Sequence, residues 1–174
     1  VPVVAQDNAG TCGPSANAAS VIGSIVNENN EDVDQVTISA KGTGMVDFTS
    51  IFDGSFNVTA VPMNSDVTIS AEKNVGHLNG VSTADLVLLQ RHVLGISSLN
   101  SAYKIIAADA NNDTKIDTRD MLHISRLVLG IYDELPNNTS WRFVSKAHTF
   151  ANPTSPWGFA EAIDFQNLEA DAQA

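Results

Sequence analysis

Three short stretches place an apolar residue at every second position: Val36, Ile38 and Ala40; Phe56, Val58 and Ala60; Val67, Ile69 and Ala71. A period of two over runs this short predicts half-buried β-strands, and the turn clusters "NENNED" and "FDG" separate them. The period changes near Thr83. Leu86, Leu89 and Val93 recur at helical spacing, with Ser82 or Thr83 placed as N-cap and Gly95 placed to end the run. "SAYKIIAA" reads as a second, short helix, and "TRDMLHISRLVLG" repeats the first helical pattern up to Gly130. Beyond "LPNNTS" regular patterning stops, and six of the eleven aromatic residues fall between Trp141 and Phe165. The pattern predicts an α+β chain. Residues 1–17 form a linker or lead strand and 18–72 an antiparallel β-sandwich. A helix pair occupies 73–132, and 133–174 is an extended, aromatic-rich segment.

The two helical stretches are copies of one another. "GVSTADLVLLQRHVLGI" laid on "KIDTRDMLHISRLVLGI" matches at seven of seventeen positions, which marks an internal duplication of a loop-plus-helix unit. The loop before the second copy, "DANNDTKIDTRD", crowds four aspartates into twelve residues. Counted from Asp109, side-chain oxygens recur at Asp109, Asn111, Asp113, Asp117 and Asp120, while Lys115 offers its backbone carbonyl. Calcium takes six to eight oxygen ligands from a loop able to wrap around it, and this is the EF-hand spacing. Without a cation, four carboxylates so close repel one another. Calcium is preferred to magnesium, which demands a rigid octahedron and keeps its waters. Thr114 stands where an EF-hand loop usually has glycine for a turn at positive φ. That residue implies a distorted turn or a weakened site.

The loop before the first copy is poorer. Asn74, Ser82 and Asp85 keep oxygens, but Gly76 and Leu78 stand where side-chain ligands are expected. Two readings stay open for it: a second calcium site completed by backbone carbonyls, or a scaffold that holds one helix against its twin.

A calcium loop, a helix ending in "RLVLG", a linker and a second copy resemble a type I dockerin, over about residues 74–131. "VIGSIVNENNEDVDQVTISAKG" and "DGSFNVTAVPMNSDVTISAEK" resemble an immunoglobulin-like or carboxypeptidase-regulatory-like sandwich, as in X-module–dockerin pairs. The resemblance implies a cohesin-like partner. It also implies a binding face at Thr83, Ala84, Gln90 and Arg91 in the first copy, and Thr118, Arg119, Ser125 and Arg126 in the second. The copies share the threonine and the arginine but differ at the other two positions, which argues against two equivalent binding modes. The first loop and the long C-terminal extension depart from the family pattern. Separately, the alternation of Trp141 and Phe143 in "SWRFVSKAHTF" suggests a strand able to pair with another subunit.

The formal net charge of −11 argues against nucleic acid or an anionic membrane as partner. No apolar run is long enough to span a membrane. "VPVVAQDNAG" lacks the features of a signal peptide, so a secreted origin implies a mature chain or a piece of a longer one. Cys12 stands alone and cannot form an internal disulfide. The four histidines have no metal-binding spacing, and HExxH, GxSxG and phosphate-loop motifs are missing, so no catalysis is expected. The expectation is therefore a non-enzymatic, secreted, calcium-binding module. It joins protein subunits, either other chains or copies of itself, in a scaffold, adhesin stalk or fibre. The alternative is a dockerin that brings a secreted enzyme to a cohesin-bearing scaffold.

Overall fold

The computed structural model describes residues 2–6, 18–42, 48–50 and 54–168; Cys12 lies outside them. The chain is α+β and divides into two compact units. One draws on the chain up to Glu72, on Phe143–His148 and on the stretch from Ala160; the other comprises Lys73–Arg142 and Thr149–Phe159.

The first unit holds the strands: β1 Pro2–Gln6, β2 Ala18–Ile25, β3 Thr37–Gly42, β4 Phe48–Ser50, β5 Ser55–Pro62, β6 Val67–Glu72, β7 Val144–Ser145 and β8 Ala162–Phe165. They form two four-stranded sheets, ordered β5-β2-β1-β7 and β4-β3-β6-β8. Pairing is antiparallel throughout, except that β7 runs parallel to β1, with Pro2 opposite Val144. The alternating residues behave as expected in β3 and β6, where Ile38, Ala40, Val67 and Ile69 are buried. β5 differs. Phe56 and Val58 point inward, but Ala60 is exposed at φ 61° and Val61 takes the buried place. The cause is a bulge: Ala19 pairs with Val61 and Val21 with Val58, so Thr59 and Ala60 together face Ser20. One extra residue moves every later side chain to the other face.

The second unit holds α1 Thr83–Val93, α2 Ala102–Ala108 and α3 Thr118–Val128. Its core groups Leu89, Ala108, Ala110 and Ile124 with Val81, Leu86, Val93, Ile116, Met121 and Val128. The duplication is visible in that core, because Val81, Leu86, Leu89 and Val93 stand thirty-five residues before Ile116, Met121, Ile124 and Val128. Both helices open with a capping box, Ser82 with Asp85 and Asp117 with Asp120. Both close alike, on Gly95 and Gly130 at φ 68° and 67°, with Ile96 and Ile131 donating back to the carbonyls of Arg91 and Arg126.

The stretch expected as one extended segment over 133–174 is divided between the units, because its apolar residues are taken into their interiors. Phe143, Val144 and Leu168 are buried in the first. In the second, Phe150 meets Tyr103 edge-on at 5.5 Å and Phe159 at 6.3 Å.

Gly54 marks a position with no room. At φ 68°, an added Cβ would lie 2.7 Å from the Asp32 Cβ and 3.0 Å from the Ile25 carbonyl oxygen. Gly80 has φ 75° and nothing within 4 Å. Gly54→Ala should therefore cost about 2–3 kcal/mol, and Gly80→Ala about 1 kcal/mol from backbone conformation alone. Urea unfolding followed by circular dichroism compares them, and equal losses would show that crowding at Gly54 contributes nothing.

Candidate calcium site

The second loop joins α2 to α3. Asp109 terminates α2, Asp117 caps α3, and Asp120 sits in the first turn of α3. Asp109 and Asp120 are 1% and 0% exposed. Their carboxylates point into the loop and collect backbone N–H groups. Asp109 Oδ1 accepts from Asp113 N at 3.0 Å and its Oδ2 from Thr114 N at 2.8 Å. Asp120 Oδ1 accepts from Ala110 N at 3.0 Å and Asn111 N at 3.3 Å, and its Oδ2 from Asp117 N at 2.9 Å. Asn111 Oδ1 accepts from Asp113 N, and Asp113 Oδ1 from Lys115 N. The loop thus folds on the side-chain oxygens of its own residues.

Thr114 answers the question its sequence position raises. The turn is kept, and the residue adopts φ 65°. A β-branched side chain is strained there, and the bond from its N–H to Asp109 helps hold it in place.

Two aspartates are compensated and two are not. Arg119 Nη2 lies 2.8 Å from Asp113 Oδ2 and 2.7 Å from Asp117 Oδ2. Arg119 holds the Asp117 carboxyl below the ordinary carboxylate range, through its side chain first and then its backbone N–H. Neither Asp109 nor Asp120 has a cationic side chain paired with it among the described residues. Burial, opposed by three backbone N–H donors and reinforced by Asp109, pushes the Asp120 carboxyl up. A buried carboxylate without a counter-ion is costly. Among the described residues, no three His, Cys, Asp or Glu side chains are gathered as a formed metal cluster. The donor set is nevertheless all oxygen and suits a hard cation in kind and order. Such an ion would compete with the loop's N–H groups for the same oxygens.

The first loop uses its oxygens differently. Asn74 Oδ1 accepts from Ser140 N at 2.9 Å. Ser82 Oγ accepts from Ala84 N and donates to Asp85 Oδ2, which also accepts from Ser82 N. His77 is buried and its Nδ1 accepts from Leu135 N at 3.1 Å.

The residues expected on a binding face are divided. Gln90, Arg91 and Thr118 are exposed. Arg119 is exposed but bridges two loop carboxylates. Arg126 is half-buried, with Nη1 donating to the Tyr132 hydroxyl at 2.7 Å. Trp141 is half-buried with the Lys73 ammonium 4.8 Å over its ring. Phe143 requires correction. At 2% exposure its side chain lies in the core and not on a surface, and the strand that follows it, β7, adds to the edge of a sheet beside β1.

Sequence reasoning missed a different surface. Val87, Leu94 and Ile96 are 54%, 62% and 65% exposed, and their counterparts Leu122, Leu129 and Ile131 49%, 69% and 64%. They lie off the apolar face that fills the core, and the copies share them at a constant offset of thirty-five residues. That offset was the available signal.

No protein-family model matches the chain, and neither a curated protein nor a solved structure matches it. Among the described residues no helix is long and apolar enough to cross a membrane.

Two measurements check this description. Thr114→Gly should stabilise the protein by about 0.5–1 kcal/mol, relief of left-handed strain outweighing the greater freedom of glycine when unfolded; a loss of stability would refute the strain. The second concerns pH. Because the folded state favours protonated Asp120, its contribution to metal-free stability is full below the ordinary carboxylate range and is lost as pH rises through the raised pKa. Asp120→Asn, whose amide turns an NH2 toward one of the three N–H donors, should melt below the parent in chelator, by a margin that is widest in acid and narrows as pH rises through the raised pKa. In calcium at neutral pH the margin should widen again. Parallel melting curves at every pH would contradict both statements.

Proposed function

We propose that the chain is a non-enzymatic, secreted structural module that joins protein subunits in an extracellular scaffold, adhesin stalk or fibre, with one calcium ion in the second loop stabilising its helical unit. The first loop acts as scaffold, its oxygens serving as caps and ties. In this reading the two sheets of the first unit form an immunoglobulin-like or carboxypeptidase-regulatory-like platform, and the second unit is a dockerin-like helix pair. The ion would be held by Asp109, Asn111, Asp113, Asp117 and Asp120 with the Lys115 carbonyl, and would supply the positive charge that buried Asp109 and Asp120 lack.

The observation that carries the assembly role is the repeated exposed apolar set, Val87, Leu94 and Ile96 with Leu122, Leu129 and Ile131. Large apolar side chains left in water at equivalent places of both copies suit a protein contact site, and their repetition suits a module that engages other chains. The acidic charge suits a calcium-rich, extracellular setting. A second reading, docking to a cohesin-like domain, draws on the exposure of Gln90, Arg91 and Thr118.

Sedimentation velocity in millimolar calcium and in chelator, over a range of concentrations, separates the two. Self-assembly requires large species in calcium that chelator dissolves and that Leu94→Asp with Leu129→Asp prevents. A compact monomer at every concentration in calcium would overturn self-assembly and direct attention to a cohesin-like partner.

A further inference from the structure

The segment from Leu135 to Arg142 touches both loops at equivalent places. At the first position of each loop, Asn74 Oδ1 accepts from Ser140 N at 2.9 Å, and the Asp109 carbonyl accepts from Asn138 Nδ2 at 2.6 Å. At the fourth position, His77 Nδ1 accepts from Leu135 N at 3.1 Å, and Asn112 Oδ1 accepts from Arg142 Nη1 at 2.8 Å. Ser140 Oγ donates to the Val75 carbonyl as well. The segment has a fixed path of its own. Asn138 Oδ1 accepts from Thr139 N, Thr139 Oγ1 donates to the Trp141 carbonyl, Trp141 lies under Lys73, and the Arg142 guanidinium stands 5.4 Å over the Phe159 ring.

We propose that Leu135–Arg142 is a strap that presets the second loop for calcium and transmits the binding event to the first loop. Asn138 and Arg142 are positioning residues. Neither offers an oxygen to the ion; Asn138 orients the peptide at the loop's first ligand, and Arg142 fixes Asn112, which turns at φ 57° between the second and third ligands. A loop held in its turn loses less freedom on binding. Partners of this kind, behind the ligands of a metal, typically change affinity by about ten- to a hundredfold. Because the strap also holds Asn74 and His77, ordering of one loop restrains the other. The first loop thereby acquires a role without a metal of its own.

This inference rests on calcium binding by the second loop, and the test separates the two. Calcium is titrated calorimetrically into the parent, Asn138→Ala, Arg142→Ala, Arg142→Lys and Ser140→Ala, with the melt of each in chelator as a measure of folding. Hydrogen exchange of residues 74–80 is followed with and without calcium. Asn138→Ala and Arg142→Ala should each weaken binding by about tenfold. Arg142→Lys keeps the charge over Phe159 and loses the fork to Asn112, so it should weaken binding in the same direction while disturbing the fold least. Ser140→Ala keeps the backbone bond to Asn74 and loses the hydroxyl bond to the Val75 carbonyl, so it should bind nearly as the parent does and reduce, without abolishing, the calcium-dependent protection of residues 74–80. A parent that binds calcium while Asn138→Ala and both Arg142 variants bind as tightly would overturn the strap and leave the calcium site standing. A parent that binds none would remove both.

Discussion

The helical unit depends on one buried carboxylate. Asp120 reaches from the first turn of α3 to the N–H groups of Ala110 and Asn111 at the end of α2, and to that of Asp117, the residue capping its own helix. Two segments, the chain just after α2 and the start of α3, are tied by one side chain that is fully shielded from water. Three N–H donors suit a carboxylate, which offers two acceptor oxygens and no donor. The same negative charge, buried beside Asp109, carries an electrostatic cost that a cation would offset. This conflict between geometry and charge gives the calcium reading its physical basis.

The duplication puts the same framework to two uses. Both copies keep the capping box, the glycine stop and the four core positions, so both present a helix with the same inward face. The loops have diverged. In the first, Ser82 and Asp85 satisfy each other and the helix start, and Gly76 and Gly80 supply the positive φ the turn requires. In the second, the turn is forced through Asn112 and Thr114, and inward carboxylates hold it. One loop is stable by conformation; the other exchanges conformational ease for a set of oxygens.

Polar groups that the repeat leaves open are answered by the chain that follows it. Asn74, His77, Asn112 and the Asp109 carbonyl all find donors between Leu135 and Arg142. A stretch rich in asparagine and serine suits that task, since each residue brings donors or acceptors to peptides that no helix or strand satisfies. The exposed apolar residues at the helix ends are left out of this arrangement, and they are the surface on which the proposed assembly rests.

Local pattern was enough for much of this protein. Period-two runs located β3, β5 and β6, and helical spacing with capping residues located α1 and α3 nearly to the residue, because strand alternation and helix caps are properties of neighbouring positions. The loop spacing made Asp109 to Asp120 legible as a candidate site for the same reason. Tertiary structure alone decided the rest. Whether Ala60 or Val61 turns inward depends on pairing with β2. Phe143 is a core residue because its burial draws on distant parts of the chain. Arg119 serves Asp113 and Asp117 because a loop brings them within 2.8 Å. The ties from Leu135–Arg142 reach far along the chain, over sixty-six positions between Asn74 and Ser140. No periodicity encodes a contact between residues that far apart; folding creates it by placing a donor where an acceptor would otherwise go unanswered.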